Sequence, residues 1–156
     1  MGQKIHPLGF RLTTTQKHRS IWFSKFDNYP ELIAEDAAIR TFFDQRTRDA
    51  GISKIEIKRN SNGNKINVTI YSARPGILVG NSGNELTNIY NQLQKRIANK
   101  RFITININEI VNPDSEAMLI GDFIVEQLEK RIAFRRAVRK AISRAQAANV
   151  PGIKVQ

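Results

Sequence analysis

Two glycines separated by two residues, Gly80 and Gly83, lie in the stretch ARPGILVGNSGNEL at positions 73–86. Apolar residues precede the pair and a polar stretch with helical spacing follows it, so the glycines are expected to open a helix. Backbone without a side chain can approach a phosphate closely, and the N–H groups that begin a helix attract anions. The pattern predicts contact with a nucleotide or a nucleic acid, and a plain tight turn is the alternative.

Two well-known nucleotide loops do not fit this stretch. A phosphate-binding loop of nucleotide hydrolases needs G-x-x-x-x-G-K-[ST]. The run that starts at Gly76 is one residue short, and Asn81 stands where the lysine is required. The dinucleotide-binding fingerprint fails too, because G-x-x-G alone lacks its first spacing. These differences exclude nucleotide hydrolysis and dinucleotide binding.

A second candidate site is the stretch KRIAFRRAVRKAISRA at 130–145, which carries seven bases and no acid. Six of the bases form two rows spaced i, i+4, namely Arg131, Arg135 and Arg139, and Arg136, Lys140 and Arg144. On one helix the two rows form a single cationic face, whose mutual repulsion RNA phosphates would offset while releasing counterions. A solvated helix face is the alternative, and the lack of acids favours RNA.

Charge is distributed unevenly along the 156 residues, which carry a net charge of +11. Residues 1–26 hold five bases and no acid, and residues 130–156 hold eight bases and no acid. The centre, 27–129, holds all 14 acids against 12 bases. A near-neutral centre between two basic ends is typical of a polyanion-binding protein rather than of a surface kept basic for solubility. Binding to a membrane is less favoured, because the basic ends lack the large face of aromatic and leucine side chains that it requires.

Composition excludes several other classes. The chain has no cysteine and two histidines, so disulfides, thiolate metal sites and a zinc site are not expected. The longest near-apolar run, 117–125, contains Asp122 and is too short to span a bilayer. A metal-dependent nuclease would need paired carboxylates, and the pair Asp114 and Glu116 indicates the start of a helix instead. We therefore predict no enzymatic activity, no cofactor and no metal.

Periodicity predicts the elements that position these sites. The first elements are a helix at 29–51 and two strands at 52–60 and 65–72, which a tight turn at 61–64 joins. After the glycine loop come a helix at 84–99, a strand at 102–110, and one long or two abutting helices at 114–150. The last helical region is expected to be capped by Asp114 or Ser115. Residues 1–28 form a basic arm, whose first 23 residues are predicted to be irregular because Pro7, Gly9 and the threonine run at 13–15 discourage a helix. The apolar residues of this arm need a partner surface, either its own domain or RNA.

A G-x-x-G between an apolar strand end and an amphipathic helix, beside a sheet with helices on one face, resembles a KH domain, and the order αββ-loop-αβ resembles its prokaryotic type. The implied fold is α+β: a three-stranded mixed sheet with helices on one face, a basic N-terminal arm and C-terminal basic helices. KH loops often carry a basic residue between the glycines. Here Asn81 and Ser82 are neutral, which weakens the case for direct phosphate gripping.

Longer stretches resemble the small-subunit ribosomal protein S-three family. They are MGQKIHPLGFRL, HRSIWF, ARPGILVG, QLEKRIAFRRAVRKAI and GIKVQ. The resemblance spans all 156 residues, and YPELIAED resembles cyanobacterial and plastid members most. It implies a non-enzymatic role on the head of the small subunit, in a plastid stroma or a bacterial cytoplasm. The implied partners are small-subunit ribosomal RNA, messenger RNA where it enters the subunit, and the neighbouring head proteins, with no membrane.

The resemblance also assigns residues. Its messenger RNA contacts fall on Arg135, Arg136, Arg139 and Lys140; positions 139 and 140 are commonly Lys and Arg in the family, so the charge is kept. The complete set of predicted RNA-binding residues is Gly2, Gln3, Lys4, His6, Arg11, Lys17, Arg19, Arg74, Gly80, Asn81, Ser82, Gly83, Arg131, Arg135, Arg136, Arg139, Lys140 and Arg144.

The family continues past GIKVQ into a second α/β domain. The predicted organisation is therefore the arm at 1–28, the KH domain at 29–112, the basic helical extension at 113–150, and the first strand of the further domain at 151–156. A separate chain would supply that domain, unless the protein is reduced or the sequence partial. A free KH module that acts outside the ribosome is the alternative function, and the match of the arm and the basic stretch to the ribosomal family counts against it.

Overall fold

The computed structural model describes residues 2–44, 47–60, 64–80, 83–97 and 101–155. The helices are α1 (Pro7–Arg11), α2 (Tyr29–Asp44), α3 (Thr47–Ala50), α4 (Pro75–Val79), α5 (Asn84–Arg96), α6 (Ala117–Glu129) and α7 (Phe134–Ala147). The strands are β1 (Ser20–Ile21), β2 (Ile52–Arg59), β3 (Lys65–Ser72) and β4 (Phe102–Glu109). Short 3-10 turns at Phe26–Asn28 and Pro113–Ser115 precede α2 and α6.

The strands form one mixed sheet in the order β1-β2-β3-β4. β2 and β3 are antiparallel, with Ile55 opposite Ile70 and Ile57 opposite Val68, and β4 runs parallel to β3 along its whole length. Alternate side chains of β2 and β3 are buried, as the alternation of isoleucine and valine with polar residues predicts. The α+β class is therefore confirmed, and the tight turn predicted at 61–64 lies mostly outside the described residues.

The sheet has four strands rather than the predicted three, because part of the arm joins it. β1 pairs in parallel with β2, and the Ile57 N–H donates to the Arg19 carbonyl at 2.8 Å. The Arg40 guanidinium on α2 donates to the Arg19 carbonyl at 3.2 Å and to Ser20 Oγ at 2.8 Å. Burial lowers the pKa of Arg40, and the negative charge of Asp36 opposes this shift. These long-range hydrogen bonds make the second half of the arm part of the domain.

The arm also contains a short helix where an irregular segment was predicted. Pro7 begins α1, where its missing N–H would have no helical partner and its fixed φ suits the helix. His6 Nδ1 accepts from the Leu8 N–H at 3.2 Å, which satisfies one backbone donor of the first turn. The prediction considered proline only as a helix breaker and was wrong at this point.

The main hydrophobic core lies between the sheet and helices α2 and α5. Its most deeply buried large side chains are at most 1% exposed; they are Ile39, Phe43, Ile57, Ile66, Ile70 and Leu93. Each such side chain stabilises the fold by about 1.5–3 kcal/mol through removal from water. The glycine loop and the arm are both attached to the elements that form this core.

The predicted helical region 114–150 is two helices with a sharp turn between them. The Arg131 N–H donates to the Leu128 carbonyl at 2.8 Å and the Ile132 N–H to the Gln127 carbonyl at 3.1 Å, with Arg131 at φ 58°. This pattern is the Schellman motif, which ends a helix with a left-handed residue. α6 therefore stops before the basic stretch begins its own helix.

α6 and α7 pack through small side chains. Ala137, Ala141 and Ala145 are spaced i, i+4 along α7 and are at most 1% exposed. Side chains of this size let two helices approach closely. A second apolar cluster at this contact includes Ile120, Phe123, Ile124, Val150 and Ile153. The basic helix is thus packed against the rest of the chain through its alanine face.

The ends of the helical region differ from the prediction in detail. Glu116 is the residue that precedes α6, while Asp114 and Ser115 lie in the 3-10 turn and cap nothing in α6. α7 ends at Ala147, three residues before the predicted end of the helical region at 150. Residues 152–155 form no strand, and position 156 lies outside the described part of the chain.

Candidate nucleic-acid interface

The glycine loop joins two helices, not a strand and a helix. β3 ends at Ser72, and the apolar residues that precede Gly80 form α4, which begins at Pro75. The Gly80 N–H donates to the Gly76 carbonyl at 2.8 Å, and Gly83 is the residue that precedes α5. The loop therefore connects the end of α4 to the positively polarised start of α5. Asn81 and Ser82 lie outside the described residues.

The two glycines are required for different reasons. Gly80 has φ 66° and ψ −176°, and a Cβ built there would lie 2.7 Å from Glu85 Cγ and 2.8 Å from Glu85 Cβ. Gly83 has φ 80° and ψ 7°, and a Cβ there would meet nothing within 4 Å. Gly80 thus needs both a backbone conformation nearly restricted to glycine and free space, whereas Gly83 needs only a left-handed backbone.

This difference predicts unequal costs of alanine at the two positions. We expect Gly80→Ala to lower the free energy of unfolding by about 2–3 kcal/mol, because backbone strain adds to the contact with Glu85. Gly83→Ala, the matched control, should lower it by about 1 kcal/mol. Urea unfolding followed by circular dichroism measures both. Equal losses in the two variants would contradict a steric requirement at Gly80.

α7 presents the cations of the second candidate site. Arg135, Arg136, Arg139 and Lys140 are all exposed, on the side of the helix that the buried alanines leave free. Arg131 lies in the turn before α7, so the predicted row that places it on one helix with Arg135 and Arg139 is wrong in its first member. The cationic face of α7 is accordingly defined here by residues 135, 136, 139 and 140.

Some of the predicted cations interact with other groups of the chain. Arg144 Nη2 lies 2.6 Å from Asp114 Oδ1, and its guanidinium lies 4.5 Å from the centre of the Phe123 ring. The Lys140 ammonium lies 5.5 Å from the same ring, and Arg135 lies 5.7 Å from that of Phe134. Among the described residues, no carboxylate pairs with Arg135, Arg136 or Arg139. These three charges are free to meet an anion.

Lys130, the residue that directly follows α6, also interacts with another group of the chain. Its ammonium pairs with Glu126, and the hydrogen bond and charge of Lys130 lower the pKa of the Glu126 carboxyl. The pair is exposed to water, so it contributes little to stability. Of the seven bases in the stretch 130–145, this one pairs with an acid in the last turn of α6.

Arg74 and Arg144 both line a cleft of about 700 Å³ between α4 and α6. Carboxylates contribute much of its lining, namely Asp49, Asp114, Asp122, Glu126 and Glu129. Negative charges so close oppose the approach of phosphate. Arg74 and Arg144 stay predicted RNA contacts, but their surroundings are less favourable than those of the cationic face of α7.

The arm exposes all of its predicted contacts. All seven predicted contact residues of the arm are exposed to solvent: Gly2, Gln3, Lys4, His6, Arg11, Lys17 and Arg19. The Arg11 guanidinium donates to the Pro7 carbonyl at 3.1 Å, and this is a weak, solvent-exposed restraint. The arm therefore has accessible positive charge on a segment whose far end is fixed in the sheet.

Two arginines that the sequence does not distinguish from RNA contacts form a buried ionic cluster. The Arg59 side chain is 1% exposed and lies 2.6 Å from Glu35 Oε2 and 2.5 Å from Asp36 Oδ1. Arg101 Nε lies 2.8 Å from the other oxygen of Glu35. Trp22 Nε1 donates to Asp36 Oδ2 at 2.8 Å, which fastens the arm to the same cluster. These groups support the fold.

Metal sites and membrane-spanning helices are both absent from the described ranges. No group of three or more histidine and acidic side chains there has the arrangement of a metal site. None of the helices there has both the length and the apolar character that a membrane crossing requires.

The sheet, the helix–glycine loop–helix unit and the cationic helix define a KH-type RNA-binding protein, and a family model described as KH domain matches residues 38–115. Over all 156 residues the chain is 55% identical to small ribosomal subunit protein uS3c of Rhodomonas salina and 51% identical to that of Guillardia theta, covering 71% of each. It is 48% identical to small ribosomal subunit protein uS3 of Thermosynechococcus vestitus, covering 65% of that protein. The chain belongs to the uS3 family of small ribosomal subunit proteins. The predicted family and KH fold are confirmed.

Proposed function

We propose that this chain is a structural component of the small-subunit head, where it binds small-subunit ribosomal RNA. The observation that carries the proposal is the cationic face of α7 in a uS3-family chain: Arg135, Arg136 and Arg139 are exposed and have no carboxylate partner within the part of the chain that the structure describes. Phosphates would neutralise this face and release counterions, so the association should be strong and salt-dependent. The proposal involves no catalytic step and no cofactor.

We further propose that the cationic face of α7 lines the site where messenger RNA enters the subunit. Contacts to phosphate position a nucleic acid without reading its sequence. A site through which every message passes must bind RNA of any sequence. The four exposed cations of α7 can contact phosphates in this way without reading the bases. The neighbouring head proteins would complete the site, in a plastid stroma or a bacterial cytoplasm.

The relatives are longer than this chain, and we infer where the rest of the family's length docks. A groove of about 400 Å³ lies between α6, α7 and residues 150–155. Apolar side chains dominate its lining, among them Ile120, Ile124, Val150 and Ile153. A segment with apolar side chains that covered this groove would remove the apolar lining from water. The remaining family segment would fit it whether it is encoded with this chain or supplied by a separate one.

Sedimentation of a native lysate at low and at high salt tests the proposed function. We expect the chain to travel with the small subunit and to leave it only at high salt. Mass spectrometry of the same fractions should detect peptides of the remaining family segment beside it. A chain that stays at the top of the gradient at every salt would contradict the ribosomal function.

The free KH module is the other candidate. It is not favoured, because the relatives match the arm and α7 as well as the KH region at 38–115. A module that acts alone would need only the KH region and its loop. The sedimentation experiment separates the two functions directly.

A further inference from the structure

The segment from Trp22 to Tyr29, here called the aromatic loop, is held at both ends and presents two rings to water. Trp22 Nε1 donates to Asp36 Oδ2 at 2.8 Å, and the centres of the Trp22 and Tyr29 rings lie 5.0 Å apart. Between these anchors, Phe23 is 86% exposed and Phe26 is 95% exposed. Within the described part of the chain, the three most exposed large apolar side chains are those of Phe26, Val111 and Phe23, and two of these three lie on this one fixed loop.

The backbone of the aromatic loop is ordered by its own hydrogen bonds. Phe26 begins the 3-10 turn, the Asn28 N–H donates to the Lys25 carbonyl at 3.2 Å, and α2 follows at once. The rings therefore project from fixed backbone and not from a free tail. A single exposed apolar side chain is ordinary in a soluble protein. Two phenylalanines within four residues of an anchored loop indicate a ligand with flat apolar faces.

We propose that Phe23 and Phe26 stack on unpaired bases of ribosomal RNA. The inference rests on the proposed function and adds a second kind of contact to the phosphate contacts of the arm and α7. Unpaired bases are the part of RNA that proteins stack on aromatic side chains, and every base has a face that suits a ring. Rings on an ordered loop lose little conformational freedom when they bind.

Charge favours RNA over a protein surface as the occupant. Lys25 lies between Phe23 and Phe26 in the sequence, and it is the last of the five bases in the acid-free stretch 1–26. Lys17 and Arg19 are exposed on the arm just before β1, which directly precedes the aromatic loop. Asp27 is the acid of the loop, and its position just before α2 suits the positive end of that helix. An apolar patch beside so many cations matches a strand with bases on one side and phosphates on the other.

Binding of two single-stranded probes of equal length to the 156-residue chain tests the proposal. One is oligouridylate and the other is an abasic ribose-phosphate oligomer, so only the first has bases to stack. We expect Phe23→Ala and Phe26→Ala each to weaken oligouridylate binding about tenfold, and the double variant about a hundredfold. Abasic binding, and the slope of log K against log salt on either probe, should not change, because no phosphate contact is removed.

Two control variants frame the experiment. Phe102→Ala removes a ring that is 69% exposed on β4, the other edge strand, and should leave both affinities unchanged. Lys25→Ala should weaken the binding of both probes. It should also reduce the slope of log K against log salt by about 0.7, the value for one lost phosphate contact on a single strand. Circular dichroism should show the same fold for all variants, since every changed side chain is exposed.

The outcomes separate this proposal from the proposed function. Equal losses on both probes, no loss on oligouridylate, or wild-type binding no tighter than to the abasic probe would each overturn stacking. If stacking fails while the chain still sediments with the small subunit, only the aromatic loop has been misassigned. Loss of a neighbouring head protein from subunits that carry the double variant, with oligouridylate binding intact, would assign the loop to a protein contact instead.

Discussion

Charge reversal at Arg135 and Arg136 together is expected to impair the unwinding of structured messenger RNA without unfolding the chain. Both guanidinium groups are exposed on α7, and neither pairs with a carboxylate among the described residues. The double variant Arg135→Glu, Arg136→Glu replaces two attractions for phosphate by two repulsions. Because surface changes of this kind shift stability by about 0.5 kcal/mol or less, the effect should be confined to RNA binding.

The expected loss is large and has a defined salt signature. Each lost phosphate contact should reduce the magnitude of the slope of log K against log salt by about 0.9. For binding to structured RNA, the double variant should therefore show about twice this reduction. Ribosomes that carry it should translate a message with a stable hairpin at least tenfold more slowly, at about 1.4 kcal/mol per factor of ten. The same ribosomes should translate an unstructured message nearly as well as wild type.

A variant with the same change in net charge elsewhere provides the control. Lys58 on β2 and Lys95 on α5 are also exposed, and Lys58→Glu, Lys95→Glu alters the total charge identically. If this control slows hairpin messages equally, the effect is one of net charge, and α7 has no special role. Unchanged translation of hairpin messages by the Arg135 and Arg136 variant would contradict the proposed contact with messenger RNA.

Regular elements of this fold could be predicted from the sequence because their signals are local. The alternation through Ile55, Ile57, Val68 and Ile70 identifies β2 and β3, and the same side chains form the core. β1 has no such signal. It is two residues long and exists because the Arg19 carbonyl meets the Ile57 N–H, a contact between distant parts of the chain.

The helix α4 shows a different reason for failure. Its residues Ile77, Leu78 and Val79 are apolar and β-branched in part, which is typical of a strand end. Pro75 at its start suits the first turn of a helix equally well, and only one side chain of the helix, Leu78, is buried. Five residues are too few for helical periodicity to be recognised.

The candidate site was predictable as a region but not residue by residue. The sequence shows an excess of bases in 130–145, but not that Arg144 faces Asp114 or that Lys130 faces Glu126. Arg59 is likewise one arginine among many until its burial is known. Whether a cation meets phosphate or a carboxylate of its own chain depends on tertiary contacts.

Removal of the Arg59 side chain is expected to lower the free energy of unfolding by about 3–5 kcal/mol. The guanidinium donates to Glu35 Oε2 at 2.6 Å and to Asp36 Oδ1 at 2.5 Å and 3.1 Å, in a site where Glu35 and Asp36 are 8% and 5% exposed. Arg59→Ala would leave two buried carboxylates without this partner. Since a domain of this kind is stable by only about 5–15 kcal/mol, the loss is a large fraction of the total.

Two variants grade this prediction. Arg59→Lys keeps the charge but loses the forked geometry that reaches both carboxylates, so an intermediate loss is expected in urea unfolding. Lys54→Ala removes a partly exposed pair with Glu56, at 3.1 Å, and should cost less than about 1 kcal/mol. A loss for Arg59→Ala no greater than that for Lys54→Ala would show that the buried cluster does not stabilise the fold.

The same substitution should loosen the arm, because Trp22 is bound to the cluster. Its indole N–H donates to Asp36, and the Arg59 guanidinium lies 5.7 Å from the centre of its ring. Trp22 is the chain's single tryptophan, so its fluorescence reports on this attachment alone. We expect red-shifted emission from folded Arg59→Ala, as the ring becomes more accessible to water, and no shift from Lys54→Ala. Unshifted emission would mean that β1 and the Tyr29 ring hold the arm without the ionic cluster, and that the aromatic loop keeps its position independently of Arg59.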